Sequence, residues 1–367
     1  MKILVLVSSL QGGGAERVAV TLCNAWADAG HDVTVMVTYT GATDSVYPID
    51  AKVTVAAPGY QPSRKTALGQ LRRLWSLRTS IIGIQPDRIV SFLTNVNVAT
   101  ILATWRLQIP VIVSERIHPA QMVLGKGMNL LRKLTYPLAS RVIVQTQTTA
   151  SWFAEHLPRA SVCVIPNPCE LPLPRSKPIL NPQSLLLAKD RIVLGTGRLD
   201  AQKGFLDLLH AFADCTRGPD WKLVILGEGE QRAVLQAEAQ RLAIFRRVLL
   251  PGWCGNPEDW FNRADIFVLS SKFEGFPNAL LEAMACGTCA ISYDCPAGPA
   301  EMITQEVSGL LVAPASGVRG LEQSLSRLIA DPDLRSSLGK RAAVSASRFS
   351  LEKILIKWRD VLTEQAT

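Results

Sequence analysis

The stretch over residues 3–30, ILVLVSSLQGGGAERVAVTLCNAWADAG, contains the structural unit from which we predict the fold. It starts with an apolar run that is typical of a buried strand, and its second half has apolar residues at helical spacing. Gly12, Gly13 and Gly14 lie between the two, and Gly30 ends the helical pattern. This order predicts the first half of a βαβ unit rather than a signal peptide, because no small-residue cleavage site follows the short apolar run.

Similar apolar runs alternate with helical patterns along most of the remaining chain. Strands are predicted at residues 3–8, 33–38, 53–57, 88–92, 111–115, 142–145, 162–165, 192–196, 222–226, 248–250, 266–270, 289–292 and 309–312. Helices are predicted at residues 15–29, 64–82, 205–215, 231–242, 279–286, 320–330 and about 351–364. Apolar strands that alternate with helices favour parallel sheets that are covered on both faces.

A proline-rich segment separates two such alternating regions. Six prolines occur within 17 residues, at positions 166, 168, 172, 174, 178 and 182. We therefore predict an α/β protein with two Rossmann-like, doubly wound domains, at 1–165 and 183–350, joined by a linker at 166–182. The helix at about 351–367 is expected to pack back on the first domain. Because ligands bind beyond the carboxyl ends of such strands, we expect a central cleft lined by loops 9–17, 115–120, 197–204, 227–230 and 271–279.

The positive charge of the chain is confined to its first half. Residues 1–165 contain 16 Lys and Arg against 8 Asp and Glu, whereas residues 166–367 contain 23 of each. The first domain therefore either faces an anionic partner or surface, or carries charge that serves solubility alone. It has neither a basic strand with interleaved aromatic residues nor a helix-turn-helix pattern, so we expect no nucleic-acid partner. No apolar run reaches the ~18–20 residues of a membrane span.

A basic amphipathic segment at 64–82 carries part of this excess. Lys65, Arg72 and Arg73 share one side of the predicted helix. The other side is apolar and consists of Leu68, Leu71, Leu74, Trp75, Ile81 and Ile82. The pattern is typical either of a helix that lies on anionic lipid headgroups or of an ordinary surface helix packed on a sheet.

Neither the cysteines nor the acidic pairs predict a metal site. Cys286 and Cys289 form a CxxC at a predicted helix–strand junction, with no second CxxC and no nearby histidine. We expect them to be reduced, buried thiols. Asp331 and Asp333 flank Pro332 between two helical patterns, which favours a helix cap. The sequence therefore predicts no metal and no cofactor.

Two loops carry groups that are suited to a phosphate-containing ligand. Gly12–Gly14 at the start of a helix allows a phosphate to approach the backbone amides, or simply forms a tight turn. It lacks the GxGxxG spacing and an acidic residue at the end of the second strand, so NAD is not favoured. Arg198 and Lys203 follow the first strand of the second domain, where they could bind one diphosphate or remain solvated.

The stretch over residues 272–282, KFEGFPNALLE, contains two carboxylates around a predicted helix start. The helix begins at Pro277 or Asn278, with Glu274 in the preceding loop and Glu282 more than one turn inside it. Glu282 can accept hydrogen bonds from a ribose, Glu274 can hold sugar hydroxyls, and the helix N-terminus between them faces a diphosphate. A carboxylate beside a phosphate is unfavourable unless it binds hydroxyl donors. The arrangement therefore favours a nucleotide sugar over a bare nucleotide.

These motifs together resemble the family 4 retaining glycosyltransferases over nearly the whole chain. The resemblance is carried by Glu274-x7-Glu282, Gly197-Arg198…Lys203-Gly204, Gly12-Gly13-Gly14-Ala15-Glu16-Arg17 and Val164-Ile-Pro-Asn-Pro168. It implies the GT-B fold and metal-independent transfer from a nucleotide sugar, UDP-linked, to a lipid-linked or oligosaccharide acceptor. Segments 282–287 and 294–301 resemble members that assemble bacterial surface polysaccharide or glycoprotein glycans on a polyprenyl diphosphate. Such a protein is expected in the cytoplasm, peripherally on the inner face of the membrane.

The resemblance also implies roles for individual residues. The implied catalytic residues are Glu274, His118, Arg198 and Lys203. The implied donor-binding residues are Gly13, Gly14, Arg198, Lys203, Leu250 (or Trp253), Glu274, Phe276, Pro277, Asn278, Ala279 and Glu282. The acceptor side would have Glu16, Lys65 and Arg72. His118 is either a catalytic residue or a packed structural histidine.

Two other functions are compatible with the same residues. One is a non-catalytic protein that binds or senses nucleotide sugars, and the other is a nucleotide-sugar epimerase on the same fold. A phosphorylase is disfavoured because no feature marks a lysine that would hold pyridoxal phosphate.

Overall fold

The computed structural model describes residues 1–39, 42–59, 67–122, 124–215 and 220–364. The strands in these ranges are β1 (Lys2–Val7), β2 (Asp32–Val37), β3 (Thr54–Ala56), β4 (Arg88–Phe92), β5 (Val111–Ser114), β6 (Arg141–Val144), β7 (Val162–Val164), β8 (Arg191–Thr196), β9 (Trp221–Leu226), β10 (Val248–Gly252), β11 (Ile266–Leu269), β12 (Cys289–Tyr293) and β13 (Leu310–Val312). The α-helices are α1 (Gly14–Asp28), α2 (Ala67–Ile84), α3 (Thr94–Thr104), α4 (Lys126–Thr135), α5 (Gln147–His156), α6 (Pro182–Leu185), α7 (Phe205–Cys215), α8 (Arg232–Arg241), α9 (Pro257–Arg263), α10 (Asn278–Ala285), α11 (Pro299–Met302), α12 (Gly317–Ala330), α13 (Pro332–Ala346) and α14 (Leu351–Thr363).

The strands form two parallel sheets. The first has the order β3-β2-β1-β4-β5-β6-β7, and the second has the order β10-β9-β8-β11-β12-β13. The strand order reverses between β1 and β4 in one sheet and between β8 and β11 in the other. Both sheets are therefore doubly wound, as predicted, and the carboxyl ends of these strand pairs are where such sheets bind ligands.

The chain divides into two compact units. The first unit consists of Met1–Asn167 and Glu352–Thr367, and the second consists of Pro168–Leu351. In the first unit, Trp358 of α14 packs edge-on against Trp26 of α1, with ring centroids 5.5 Å apart. Ile354, Trp358 and Leu362 are buried at a spacing of four residues, so one face of α14 covers the core of this unit.

The predicted strands are confirmed, because each apolar run overlaps an observed strand. Several helices were not predicted, and α3 shows the reason. Its sequence, TNVNVATILAT, is rich in β-branched residues, which have low helix propensity. Most of its side chains are buried, so packing in the first unit stabilises a helix that the local sequence disfavours.

The local features predicted to be structural occupy the expected places. Cys286 lies at the C-cap of α10 and Cys289 begins β12, and burial raises the pKa of both thiols to about 12. Asp331 caps α13, where its carboxylate accepts a hydrogen bond from Leu334 N at 2.8 Å. Within the described ranges, no helix is both long and apolar enough to cross a bilayer.

Candidate functional site

In the second unit, the loops that follow β8 and β11 are joined by several hydrogen bonds. Lys272 N donates to Gln202 O at 2.8 Å, and Gln202 Nε2 donates to Phe273 O at 2.9 Å. Ser270 Oγ donates to Lys203 O at 2.8 Å. The two loops stand at the switch point of the sheet, so these contacts bring the two predicted donor-binding segments together.

Gly204 permits this close approach. It has a φ of +62°, and a Cβ at this position would overlap the carbonyl oxygen of Ser270. A glycine is required here for two reasons, because the left-handed conformation strains other residues and because no space exists for a side chain. The backbone of the loop therefore lies directly against the end of β11.

Lys203 and Glu274 form an ion pair across the two loops. Lys203 Nζ lies 2.6 Å from Glu274 Oε1, and the two side chains are 21% and 9% exposed. The sequence predicted both as site residues but not as partners. A phosphate oxygen that binds Lys203 would replace the Glu274 carboxylate as its counter-ion, which would leave that carboxylate available to hydroxyl donors.

Arg198 lies on the same loop but outside this pair. Its side chain is 72% exposed, and its nearest carboxylate oxygen, Asp200 Oδ2, is 3.8 Å from Arg198 Nη1. Asp200 caps the short 3₁₀ turn Ala201–Lys203, accepting a hydrogen bond from Lys203 N at 3.2 Å. An exposed ion pair of this length contributes little to stability, so the guanidinium can reorient towards a ligand.

The N-terminus of α10 follows Glu274 in the chain. Pro277 is its N-cap residue and Asn278 its first residue, as predicted, with no side-chain cap. The next residue of the predicted site, Ala279, belongs to the same first turn, and the first amides of a helix point out of its N-terminus. Phe276 is buried edge-on against Phe349, with ring centroids 5.5 Å apart, so only its backbone can face a ligand.

Glu282 is buried further along α10. It lies beyond the N-terminal turn of that helix, whereas Glu274 lies in the loop before it. The two carboxylates therefore occupy the separate positions that the sequence predicted. Together with Lys203, they give the carboxyl edge of this sheet two carboxylates and one paired cation.

Leu250 lies on the edge strand β10, next to a pair that sequence reasoning missed. Arg232 donates to Leu250 O at 3.0 Å and binds Glu228 with two hydrogen bonds of 2.8 and 2.6 Å. The bonds from Arg232 are the main reason that the pKa of Glu228 is lowered. The signal was the sequence Gly227-Glu228-Gly229 directly after β9, in one of the loops expected to line the site.

In the first unit, the glycine loop after β1 is closed by Tyr47. The Tyr47 hydroxyl accepts from Gly13 N and donates to Gly13 O, both at 3.1 Å. Glu16 is buried beside it and accepts from Ser8 Oγ at 3.3 Å. A Cβ on Gly13 would overlap the Glu16 carboxylate, so the loop and Glu16 are packed together, and Gly14 begins α1.

A buried carboxylate and a buried histidine follow β5. Glu115 accepts from Thr94 Oγ1 at 2.5 Å and from Tyr136 OH at 2.6 Å, yet burial raises its pKa. Burial lowers the pKa of His118, whose Nδ1 is buried without a hydrogen-bond partner among the described residues. Burial therefore favours the neutral form of this imidazole at the carboxyl edge of the sheet.

Arg116, between these two residues, was not predicted as a site residue. Its guanidinium lies 5.0 Å from the centroid of the Phe92 ring and donates to Ser114 Oγ at 3.2 Å. Within the described part of the chain, its Nη2 is buried without a hydrogen-bond partner, and burial lowers its pKa to about 9. No sequence pattern distinguishes such an arginine from an exposed one.

The basic helix predicted at 64–82 corresponds to α2. Lys65 lies outside the described residues, and Arg72 is exposed on α2. The predicted apolar side divides, because Ile81 packs inwards, as does the neighbouring Leu77, whereas Ile82 is 48% exposed and three others are exposed still further. These are Leu68, Leu71 and Trp75, which are 61%, 63% and 70% exposed.

Comparison with known proteins gives consistent matches over both units. Residues 12–171 match the model of the family described as Glycosyltransferase Family 4, and residues 176–344 match that of Glycosyl transferases group 1. The chain is 27% identical to an α-1,4-N-acetyl-D-galactosaminyltransferase of Campylobacter jejuni, over 99% of both chains. The name of that protein specifies its substrate as GalNAc-α-(1→4)-GalNAc-α-(1→3)-diNAcBac-PP-undecaprenol. It is 26% identical to the amylovoran biosynthesis glycosyltransferase AmsD of Erwinia amylovora, over 98% of this chain and 99% of that one.

The fold has a counterpart among solved structures. HepE of Anabaena, crystallised in complex with UDP, superposes with a TM-score of 0.79 over 99% of this chain and 100% of that one, at 21% identity. This likeness and the two parallel sheets show the predicted GT-B fold.

Proposed function

The chain belongs to the family 4 glycosyltransferases, and on that premise we propose that it transfers a sugar, with retention and without a metal, from a UDP-sugar to a lipid-linked glycan. The observation that carries the proposal is the meeting of Lys203 and Glu274 at the switch point of the second sheet, directly before the N-terminus of α10. A cation, a carboxylate and a helix N-terminus at one place suit a diphosphate and the sugar attached to it.

Lys203, Arg198 and the helix N-terminus would act on the leaving group. Cleavage of the bond between the sugar and the diphosphate concentrates negative charge on the nucleoside diphosphate. Fixed cations and helix amides stabilise that charge as it develops, and removal of one such group typically costs about 10²–10³ in rate. These residues therefore supply the stabilisation that a metal ion provides in other transferases.

The carboxylates would hold hydroxyl groups. Glu274, released from Lys203 by the phosphate, would accept hydrogen bonds from the transferred sugar, and Glu282 from the ribose. The edge strand residue Leu250, or Trp253 after it, would lie near the base. Retention would follow if the acceptor hydroxyl attacks on the face from which the phosphate leaves, with the phosphate itself as the base.

On the first unit, Glu16, Arg72 and Lys65 are the proposed acceptor-side residues, and Gly13 and Gly14 would approach donor phosphate. Neutral His118 would be a hydrogen-bonding catalytic residue. The lipid-linked acceptor is supported by the substrate that the Campylobacter relative's name specifies, and UDP by the complex of the Anabaena protein.

The exposed side of α2 supports docking to an anionic membrane. Leu68, Leu71 and Trp75 lie on one helical face next to Arg72, and an apolar face flanked by cations binds anionic headgroups. We place the protein in the cytoplasm, on the inner face of a bacterial membrane, with no nucleic-acid partner. Vesicles with anionic lipid should bind the protein at low salt, and Trp75→Ser should weaken that binding.

The transferase proposal is tested with a panel of nucleotide sugars. Donors that raise the thermal denaturation midpoint are then incubated with a lipid-linked acceptor, with and without EDTA, and the anomeric configuration of the product is read by NMR. We expect a UDP-sugar to bind, EDTA to have no effect, and Glu282→Ala to weaken donor binding. Glu170→Ala, which removes an exposed carboxylate of the second unit, is the matched control.

Other outcomes would contradict the proposal in distinguishable ways. A donor isomer formed without acceptor would indicate an epimerase, and donor binding without any turnover would indicate a regulatory protein. Loss of activity in EDTA would overturn the metal-independent mechanism.

A further inference from the structure

Two of the buried side-chain nitrogens that have no hydrogen-bond partner among the described residues are donors at the carboxyl edge of the first sheet. One is Nη2 of Arg116, which follows β5, and the other is Nε2 of Gln145, which follows β6. Arg116 is 9% exposed and Gln145 is 3% exposed. Buried polar groups in folded proteins nearly always have a partner, so each of these groups requires an explanation.

The sheet register aligns the two residues at the ends of adjacent strands. Ser114 of β5 pairs with Ile143 of β6, and Glu115 N donates to Ile143 O at 2.9 Å. Arg116 and Gln145 each follow the paired residue by two positions on adjacent parallel strands. They therefore emerge at the same point of the ligand-binding edge.

The charge of Arg116 is not balanced by the surrounding protein. Within the described ranges it makes no ion pair, and its one hydrogen bond is to the neutral Ser114 hydroxyl. Glu16 attracts it, but the effect of burial is larger, since the pKa of Arg116 is lowered. The neighbouring Glu115 is not its counter-ion, because its oxygens accept from Thr94 and Tyr136. A buried guanidinium in this condition costs stability unless an anion binds to it.

We propose that Arg116 and Gln145 form an oxyanion subsite of the first unit, which binds one phosphate group through Arg116 Nη2 and Gln145 Nε2. Arg116 supplies charge-assisted hydrogen bonds and the stacked Phe92 ring holds its guanidinium in place. The phosphate belongs either to the diphosphate of the donor or to that of a lipid-linked acceptor. The assignment of the phosphate to the donor or to the acceptor rests on the proposed function, whereas the proposal that the subsite binds a phosphate group does not.

The binding test measures the affinity for inorganic pyrophosphate and does not depend on catalytic turnover. The titration is made by calorimetry in the Arg198→Met/Lys203→Met background, which lacks the two cations that we assign to the donor diphosphate. We expect pyrophosphate to bind, and an added Arg116→Met to weaken it about 10- to 100-fold, as expected for lost hydrogen bonds to a charged group. Arg159→Met, which removes an exposed cation of the same unit, is the control and should leave the affinity unchanged.

The denaturation midpoint of the variant distinguishes a binding role of Arg116 from a purely structural one. Because Arg116→Met removes an unbalanced buried charge, we expect its denaturation midpoint to be retained or raised. If this variant does not fold, Gln145→Leu takes its place and should weaken pyrophosphate by a smaller factor. Unchanged affinity in a folded variant, or no pyrophosphate binding in the background protein, would overturn the subsite and leave a water molecule as its occupant.

Kinetics identify the source of the phosphate. In the otherwise unchanged protein, Arg116→Met should raise KM for the donor if the subsite holds the donor diphosphate. It should raise KM for the acceptor if the subsite holds the diphosphate of the lipid. A protein that binds pyrophosphate through Arg116 but transfers no sugar would retain the subsite and refute the transferase proposal.

Discussion

The cations at the carboxyl edges of the two sheets differ in their partners and in their burial. In the second unit, Lys203 is paired with Glu274 at 2.6 Å, on loops that hydrogen bonds hold together. In the first unit, Arg116 is more deeply buried; a hydroxyl and an aromatic ring contact its guanidinium, and the attraction of Glu16 is smaller than the effect of burial. A carboxylate is close to it in sequence, yet Glu115 binds two hydroxyls instead.

This difference separates two ways of preparing a site for an anion. A paired cation such as Lys203 exchanges one counter-ion for another, so the protein is stable before and after the exchange. An unpaired buried cation such as Arg116 is unfavourable by itself and gains most when an anion arrives. The comparison therefore predicts that binding of an anion stabilises the folded protein less at the Lys203 edge than at the Arg116 edge, where anion binding and stability are coupled.

The largest expected effect is that of Lys203→Met on turnover. We expect kcat to fall about 10²–10³-fold, since one fixed cation no longer stabilises the leaving diphosphate. Steady-state turnover measures this loss. Lys203→Met alone should also lower the denaturation midpoint, because it leaves the Glu274 carboxylate without its cation, and an added Glu274→Gln should restore the midpoint without restoring turnover. If the turnover of Lys203→Met equals that of the unchanged protein, Lys203 does not act on the leaving diphosphate.

The second prediction concerns the contact between the loops of the second unit. Gly204→Ala should destabilise the protein, because left-handed strain costs about 1–2 kcal/mol and overpacking against Ser270 O adds about 1–3 kcal/mol. Gly30→Ala is the matched control, since Gly30 has a φ of +84° but an open space around its Cβ position. Chemical denaturation measures both. Equal losses in the two variants would show that the loops are not in close contact.

The third prediction compares a tyrosine in each unit. Tyr136→Phe removes the 2.6 Å bond to the buried Glu115 and should cost about 1–3 kcal/mol, because a buried acceptor loses its donor. Tyr293→Phe removes a bond of 3.3 Å to Asp207 and should cost less than about 1 kcal/mol. Denaturant unfolding of the two variants gives the difference. The reverse order would contradict the view that the first unit depends on its buried network.

The smallest effect is the pH dependence contributed by His118. Burial holds its folded-state pKa below the usual 6.5, so between these values the unfolded chain binds more protons than the folded one. The free energy of unfolding therefore decreases as the pH falls through this window. His118→Gln should flatten this part of the profile of thermal stability against pH, and His156→Gln controls for the loss of a histidine. An equal slope in His118→Gln and the unchanged protein would show a solvated imidazole.

Much of the fold could be predicted because its signals are local. The apolar runs that became β1 to β13 are visible in the sequence, and so are the loops that follow them. Residues with a sequence motif, such as Lys203 and Glu274, could be named for the same reason. Helix α3 could not, because its β-branched residues are helical only through their burial.

The sequence by itself determined the order of the strands, the place of the helices with a clear amphipathic pattern and the parallel class of the sheets, since hydrophobic periodicity is read over short stretches, and it predicted the loops that would carry the chemistry. Only the tertiary structure decided that Lys203 pairs with Glu274, that Gly204 must lie against Ser270, and that Arg116 Nη2 is buried without a hydrogen-bond partner among the described residues. The physical reason is that these contacts depend on which strands are neighbours. The placement of β8 beside β11 brings together residues that are 71 positions apart, and no local pattern contains that information.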